Sequence, residues 1–359
     1  VAQQFYSLKI KDIVKTTADC SVLSFEVPTN LEKEFSFRQG QHLTLKTNIN
    51  GEEVRRSYSL CSSPMDGAWQ VAVKQIEDGV FSGFVNEKLK IGDYLDVMNP
   101  HGNFFVETDS ESEKQYVAFA AGSGITPILS ILKTHLQAEP KAKFSLFYTN
   151  QNVASIILKE EIDALKNQYL ERFEPYYFLT QEERDVSLFN GRMDEEKLEK
   201  IATYFLDLPN VDHFFLCGPE ELIFKIRDFL LAKGVDGKRI HFELFTTSAS
   251  QNRIKKVKVD SASNASQFSE IVVKEGGKSF KFKMARDADS ILEAALKLNS
   301  GLPFACKGGV CCTCKAKLLE GKVEMEVNYA LEKEQVAAGY ILTCQAIPLT
   351  ENVVVDFDQ

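Results

Sequence analysis

The segment "PFACKGGVCCTC" (303–314) holds Cys306, Cys311, Cys312 and Cys314, half of the eight cysteines in the chain, and Cys344 follows alone. A loop that rich in sulfur must close around something. Three occupants are possible in principle: a set of disulfides, a zinc ion, or an iron–sulfur cluster. Each makes a different demand on the rest of the chain. Cysteines gathered in one loop rather than spread through the sequence suit a reducing compartment better than a disulfide scaffold. The N-terminal "VAQQFYSLKI" has no basic segment leading into an apolar core, so no secretory leader and a cytoplasmic location are expected. No apolar run approaches the roughly 20 residues of a membrane span, so no membrane is expected either.

At 359 residues the chain exceeds what one core usually supports. A net charge of −9 argues against nucleic acid as a partner, which favours basic surfaces. The rhythm of the sequence changes twice. Residues 1–108 alternate polar and apolar positions in "FYSLKIKDI", "SVLSFEV", "QHLTLKT", "RRSYSL", "WQVAVKQI" and "YLDVM", separated by turn residues. This predicts a small antiparallel β-barrel, interrupted by one helix over Ser82–Lys90. Residues 113–246 place short apolar runs ("YVAFAAG", "FSLFYTN", "YYFLT", "HFFLCG", "IHFELF") between helical stretches. That is the pattern of a parallel α/β sheet. The first helix, "TPILSILKTHLQ", puts Ile128, Leu129, Ile131, Leu132 and Leu136 on one face. Residues 247–267, rich in Ser, Asn and Lys, read as a linker. Its basic group Arg253, Lys255, Lys256 and Lys258 is either solvated or a docking point. Residues 268–359 form a small third domain with a helix around Ser290–Leu298.

Within that third domain, Cys306, Cys311 and Cys314 make C-x4-C-x2-C, with Cys344 as a distant fourth. This is the plant-type spacing for four thiolates holding a [2Fe–2S] cluster. Structural zinc normally uses two short cysteine hooks, whereas here three ligands share one loop. Gly308 and Gly309 allow the backbone to approach the sulfurs closely. Cys312 is then spare, a structural or surface residue.

A cluster carries one electron and needs a donor. On the barrel, "RRSYSL" offers Arg56, whose fork suits a pyrophosphate, with Tyr58 to lie on a flavin ring and Ser59 to meet its polar edge. An ordinary exposed strand would also produce this pattern. "DGVFSGFV" (78–85) adds a glycine turn at Gly79 opening the helix, with amides at Phe81 and Ser82 for a phosphate and Lys74 upstream. "AAGSGITPILSIL" (120–132) is a glycine turn between strand and helix, directing amides at a dinucleotide, although it lacks a full G-x-G-x-x-G. "LCGPEEL" (216–222) is a second such turn. Cys217 within it is either a small core residue or a contact beside a nicotinamide. A nicotinamide donates two electrons and a cluster accepts one, so a flavin between them is the chemistry that joins the three segments.

Taken in order, "RRSYSL", "AAGSGITPILSIL", "LCGPEELI" and the stretch from "ACKGGVCCTCK" to "NVVVDFD" resemble the ferredoxin–NADP reductase superfamily fused to a C-terminal plant-type ferredoxin. The resemblance covers the whole chain. Its "NYALE", "AAGYILTCQA" and "VVVDFD" favour the reductase components of ring-1,2-phenylacetyl-CoA epoxidases over reductases of Rieske-type ring-hydroxylating dioxygenases or steroid hydroxylases. It implies a β-grasp third domain. It implies FAD at Arg56, Tyr58, Ser59 and the 79–82 turn, and NAD(P)H at Gly122, Ser123, Gly124, Thr126, Cys217, Gly218 and Pro219. Glu243 and Phe245 would cover the flavin's reactive side, with Tyr58, Ser59, Cys217 and Glu243 at the point of electron transfer. The partner it implies is an oxygenase component, a di-iron epoxidase complex. A rival from another class is a zinc-bound interaction module on a nucleotide-sensing domain. Two departures stand out: Gln39, where relatives often have Pro, and Gln151 in "YTNQNVAS", where NADPH-preferring relatives tend to carry Arg. Lys159 could reach a 2′-phosphate, and no acidic residue directly follows this strand, so the coenzyme choice is open.

Overall fold

A computed structural model describes residues 4–245, 268–286, 289–298 and 300–359. The expected linker and its basic group lie outside the described residues. The chain divides into two compact units, one spanning Phe5–Phe245 and the other holding the C-terminal part.

The first unit begins with six antiparallel strands: β1 (Phe5–Thr17), β2 (Cys20–Glu26), β3 (His42–Ile49), β4 (Glu52–Ser59), β5 (Trp69–Lys74) and β6 (Tyr94–Met98). Their order in the sheet is β4-β3-β6-β1-β2-β5, and a bridge between Leu60 and Val71 joins the two edges into a barrel. Closure removes the exposed edges that an open antiparallel sheet would present. Leu8, Ile10, Leu43, Leu45, Val71 and Val73 fill the interior from alternate strand positions. Helix α1 (Val80–Glu87) lies between β5 and β6 and buries Phe81, Ser82 and Val85. It starts two residues earlier than the sequence suggests, because Gly79 in extended conformation already serves as its N-cap.

The rest of this unit is a five-stranded parallel sheet: β7 (Gln115–Ala121), β8 (Lys143–Asn150), β9 (Phe173–Leu179), β10 (His213–Gly218) and β11 (Ile240–Leu244). Helices α2 (Ile125–Ala138), α3 (Lys159–Gln168), α4 (Glu195–Tyr204) and α5 (Glu220–Ala232) connect the strands. The order β11-β10-β7-β8-β9 places the first strand where the winding reverses, between β10 and β8. In such sheets ligands bind at that reversal, beyond the carboxyl ends of the strands.

Helix α2 ends at Ala138 because Pro140 forces Glu139 out of helical conformation. The expected apolar face is buried together with His135, whose ring lies 4.4 Å from that of Tyr116 on the sheet, but so are Ser130 and Thr134 on the other side. The helix is enclosed between the sheet and the barrel. Ser130 Oγ donates to the Ser62 carbonyl at 2.6 Å, and the Thr134 and Ser63 hydroxyls meet at 2.9 Å. One apolar core runs across this seam, from Cys20, Val22 and Ala72 of the barrel to Ile128, Leu132 and Phe215 of the sheet and its helix. Ser130 and Thr134 are therefore hydrogen-bonded seam residues, not solvent-facing ones.

The second unit is a β-grasp. Strands β12 (Phe268–Glu275), β13 (Lys278–Ala285), β14 (Lys315–Glu320), β16 (Tyr340–Leu342) and β18 (Asn352–Asp356) form a mixed sheet, ordered β13-β12-β18-β14-β16, with β12 and β18 parallel. A two-stranded ribbon pairs β15 (Val323–Met325) with β17 (Ala346–Pro348). Helix α6 (Ile291–Leu296) is capped by Ser290, whose hydroxyl accepts from the Glu293 amide at 3.3 Å. A second short helix, α7, covers Lys333–Ala337.

Candidate functional site

At the end of β4, Arg56 and Tyr58 project to the same side, as alternate residues of a strand do. Arg56 is exposed, and its Nη1 donates to the Arg55 carbonyl at 2.7 Å. Tyr58 is half-buried, with its ring 5.8 Å from that of Phe81 on α1. Burial raises the Tyr58 phenol above its ordinary range, against the opposing pull of Arg56. The Gly79 turn cannot carry a larger residue: a Cβ there would lie 2.3 Å from Ser82 Oγ. That hydroxyl donates to the Gly79 carbonyl at 3.2 Å and accepts from the Ile76 amide at 3.3 Å. No side chain caps the first turn of α1. Lys74 pairs with Asp19 at 3.6 Å.

Ser59 is buried and faces the sheet instead. Its Oγ donates to Glu243 Oε2 at 3.1 Å. Burial raises the Glu243 carboxyl to about 7, with the Ser59 hydroxyl pulling the other way. The register of β10 against β11 sets Cys217 beside Glu243. Burial, with the Glu243 charge second, pushes the Cys217 thiol well above its ordinary value. Phe245, just beyond β11, packs half-buried against the core that contains Cys217. Ser59, Cys217 and Glu243 thus come from three strands to one place, at the reversal point of the sheet.

The two strand-to-helix turns lock together there. A Cβ on Gly124 would sit 2.2 Å from the Cys217 carbonyl oxygen, and one on Gly218 would sit 3.0 Å from the Ala121 side chain. Gly122 adopts φ 54°, and its carbonyl accepts from the Tyr148 hydroxyl at 2.9 Å. Thr126 Oγ1 donates to the Ser123 carbonyl at 3.0 Å, and Pro219 is the N-cap of α5. Two helix N-termini, neither capped by a side chain, therefore open side by side.

Two features were not found by reading the sequence. His42, at the start of β3, is buried with Nδ1 4.0 Å from Glu243 Oε1. Burial first, and then His101, lower it to about 3, so it faces the carboxyl as a neutral ring. Only its place beside a glycine turn marked it. Second, a cavity of about 410 Å³ lies past the carboxyl ends of β8 and β9, lined by Val153, Lys159, Tyr177, Glu182 and Arg184 among others. Glu182 Oε2 accepts from the Val153 amide at 2.9 Å, and Lys159 pairs with Asp163. An acidic residue does reach the end of β8, supplied from the loop after β9. Separation in sequence hid it.

In the second unit, residues 300–314 carry no helix or strand. The thiols of Cys306, Cys311, Cys314 and Cys344 interact: Cys306 with Cys311 and with Cys344, and Cys344 with Cys314. Cys306 is pushed up to about 11: its contact with Cys311 pulls it down, and its contact with Cys344 together with burial more than offsets that. Crowding by Cys306, followed by burial, pushes Cys311 well above its ordinary value. The thiols of Cys306, Cys311 and Cys344, which resist ionising when crowded alone, fit a cationic iron core, which neutralises thiolates. The loop amides fit as well, since the Gly308 N–H points to Cys306 Sγ at 3.4 Å. Thiols around a binuclear cluster need not meet at one ion position, and among the described residues no three metal-ligating side chains do. Cys312 is buried with its Sγ donating to the Ala330 carbonyl at 3.2 Å, which makes it structural rather than superficial.

Comparison with known proteins agrees with these three regions. Residues 7–106 match the oxidoreductase FAD-binding domain, 119–228 the oxidoreductase NAD-binding domain, and 273–349 the 2Fe-2S iron–sulfur cluster binding domain. The chain is 42% identical to a component of the 1,2-phenylacetyl-CoA epoxidase of Escherichia coli (strain K12), over 99% of this chain and 98% of that protein. The chain belongs to the flavin- and [2Fe–2S]-containing reductases of oxygenase systems. Another such reductase, the ferredoxin reductase component of 3-ketosteroid-9-alpha-monooxygenase from Rhodococcus rhodochrous, is 32% identical over 98% of this chain and 96% of its own. Phthalate dioxygenase reductase shares the fold, with a TM-score of 0.59 at 22% identity over 98% of both chains. An intact type IV self-sufficient cytochrome P450 monooxygenase does too, with a TM-score of 0.70 at 21% identity over 98% of this chain and 41% of that one.

The reductase is therefore an oxidoreductase that uses FAD, a pyridine nucleotide and a [2Fe–2S] cluster and passes electrons to an oxygenase component. The reading as a zinc-bound interaction module falls away. No helix among the described residues is long and apolar enough to cross a membrane.

Proposed function

We propose that this reductase carries electrons from NAD(P)H to a di-iron phenylacetyl-CoA epoxidase in the cytoplasm. The choice of partner rests on the end-to-end likeness to the Escherichia coli epoxidase component. The gathering of half the cysteines in one loop supports a reducing compartment. The observation that carries the internal route is the meeting of Ser59, Cys217 and Glu243 at the reversal point of the parallel sheet. FAD, when bound, accepts two electrons together and hands them on singly.

In this reading Arg56 and the uncapped first turn of α1, from Gly79 through Phe81 and Ser82, bind the pyrophosphate of FAD, with Lys74 adding positive charge nearby. Tyr58 and Phe245 bound the ring. Gly122, Ser123, Gly124, Thr126, Gly218 and Pro219 orient the nicotinamide nucleotide against it, with Cys217 as a compact, uncharged contact. Glu243, half protonated near neutral pH and hydrogen-bonded to Ser59, holds a proton beside the reacting ring. Cys306, Cys311, Cys314 and Cys344 hold the cluster. Positioning is the contribution of the protein.

The cavity beyond β8 and β9 supports a lean toward NADH. Glu182 is placed to accept from a free ribose hydroxyl. The carboxylates Glu182, Glu183 and Asp185 outnumber the cations Lys159 and Arg184 in its lining, and Lys159 is paired with Asp163. The test of the whole reading is reconstitution with the oxygenase component of a phenylacetyl-CoA epoxidase. Coenzyme oxidation should become dependent on phenylacetyl-CoA. Supply of a Rieske oxygenase instead, with the epoxidase left idle, would reverse the choice of partner.

A further inference from the structure

The residue that follows the last cluster cysteine occupies an unusual position. Gln345 is 4% exposed, and its main chain is held on both sides: its N–H donates to the Leu342 carbonyl at 2.9 Å, and its carbonyl accepts from Glu326 at 3.0 Å. Its side chain turns back under the cysteine loop. Nε2 donates to the Lys307 carbonyl at 2.9 Å and lies 3.7 Å from Cys344 Sγ, a hydrogen-bond separation for the larger sulfur atom. Oε1 is buried and has no partner.

Two features show that this placement is built. The Lys307 carbonyl fixes which end of the amide is nitrogen, since a flipped side chain would set two oxygens against each other at 2.9 Å. With one N–H committed to that carbonyl, the second is left for the sulfur. Lys307 itself adopts φ 52°, a left-handed conformation rare for a side-chain-bearing residue, which places its carbonyl over the amide. Gly309, at φ 74°, leaves room for the stem: a Cβ there would press on Gln345 Cγ at 3.2 Å and on the Val327 carbonyl at 2.9 Å. The buried oxygen without a partner costs free energy, which the two contacts of the nitrogen offset.

We propose that Gln345 is a positioning residue that sets the reduction potential of the cluster, by donating a hydrogen bond to the Cys344 sulfur and tying that ligand to the turn at Lys307. The inference rests on Cys344 being a cluster ligand. Reduction adds one electron and no proton to the cysteine-bound cage, so the added negative charge falls partly on the ligand sulfurs. A donor to one of them stabilises the reduced state more than the oxidised one. The buried setting strengthens the effect, because no water replaces the amide.

The test is an anaerobic redox titration of the intact, cofactor-loaded protein, followed by the electron paramagnetic resonance of the reduced cluster. Gln345→Met keeps the length of the side chain and removes the donor. The equilibrium for cluster reduction should fall about tenfold, a shift of about 59 mV to more negative potential for a one-electron couple. An unchanged midpoint in a fully loaded Gln345→Met protein would overturn the proposal. Should that variant fail to take up a cluster, wild type labelled with ¹⁵N in glutamine side chains decides the matter. A ¹⁵N coupling in the reduced cluster that vanishes when only backbone nitrogen is labelled is expected, and its absence refutes the contact. Cys344→Ala, which leaves no ligating atom, separates the two layers: a cluster that survives it removes the ligand assignment, whereas an unchanged potential in Gln345→Met removes only this inference.

Discussion

The nucleotide turns and the cysteine loop both surround a cofactor, but different forces shape them. The turns at Gly122–Gly124 and Cys217–Pro219 close on each other backbone to backbone, at the ends of buried strands and in front of two long helices. Their geometry is set by the backbone packing of the fold. Residues 300–314 have no regular element, and their thiols crowd one another, so that burial and neighbouring sulfurs disfavour thiolates until a cationic occupant neutralises them. The first region is a scaffold that receives a ligand; the second is a chain segment that a ligand completes. Mutation and cofactor removal should therefore act differently on the two.

The largest effect belongs to the loop. Cys306→Ser, Cys311→Ser, Cys314→Ser or Cys344→Ser should each abolish the visible cluster absorbance and delivery to one-electron acceptors, while coenzyme-dependent flavin reduction survives. Cys312→Ser should leave the cluster in place. A cluster lost in Cys312→Ser but kept in Cys311→Ser would reassign the ligands. The corresponding experiment on the scaffold is Gly124→Ala. Its methyl would be forced to within 2.2 Å of the Cys217 carbonyl, which we expect to cost about 3 kcal/mol and to impair coenzyme-driven flavin reduction. Cluster content should not change. Stopped-flow flavin bleaching and iron analysis on the same sample separate the two outcomes.

Within the scaffold, the Ser59–Glu243 contact tests side-chain chemistry rather than backbone fit. Folding raises the Glu243 carboxyl from 4.5 to about 7, so between those values the folded state binds the proton and the unfolded state does not. Its contribution is fully present below about pH 4.5 and is lost as pH rises through 7. The change is about 3 kcal/mol. Glu243→Gln should remove that slope, and thermal midpoints of the flavin-loaded variant and wild type should diverge as pH increases from 5 to 8. Parallel profiles would show that Glu243 is ionised throughout.

What could be read in the sequence, and what could not, follows the same division. The cysteine spacing is local, so three candidate ligands and a spare could be read from one loop, with Cys344 as their one distant partner. The turn at Gly124 was legible as a turn, but not its contact with Cys217, which depends on β7 and β10 lying side by side. Helix α2 showed its apolar face plainly. The burial of Ser130 and Thr134 on its other side was invisible, because the barrel that covers them is remote in sequence. Glu182 was missed for a similar reason: it reaches the end of β8 from the loop after β9.

The smallest expected effect concerns that acidic residue and its neighbour Gln151, which is exposed just after β8. Gln151→Arg should move the ratio of kcat/KM for NADPH over NADH by about 1–2 kcal/mol toward NADPH. A wild-type enzyme that already prefers NADPH a hundredfold would show that the 2′-phosphate is held by other residues.

One measurement bears on the central claim most directly, that a single chain conducts electrons from pyridine nucleotide through flavin to cluster. Purified protein is titrated anaerobically with NADH or NADPH while its visible absorbance and electron paramagnetic resonance are recorded together. We predict bleaching of the flavin bands accompanied by the signal of a reduced [2Fe–2S] cluster. Full flavin bleaching beside an iron-loaded cluster that stays oxidised, yet is reduced by dithionite, would contradict the account.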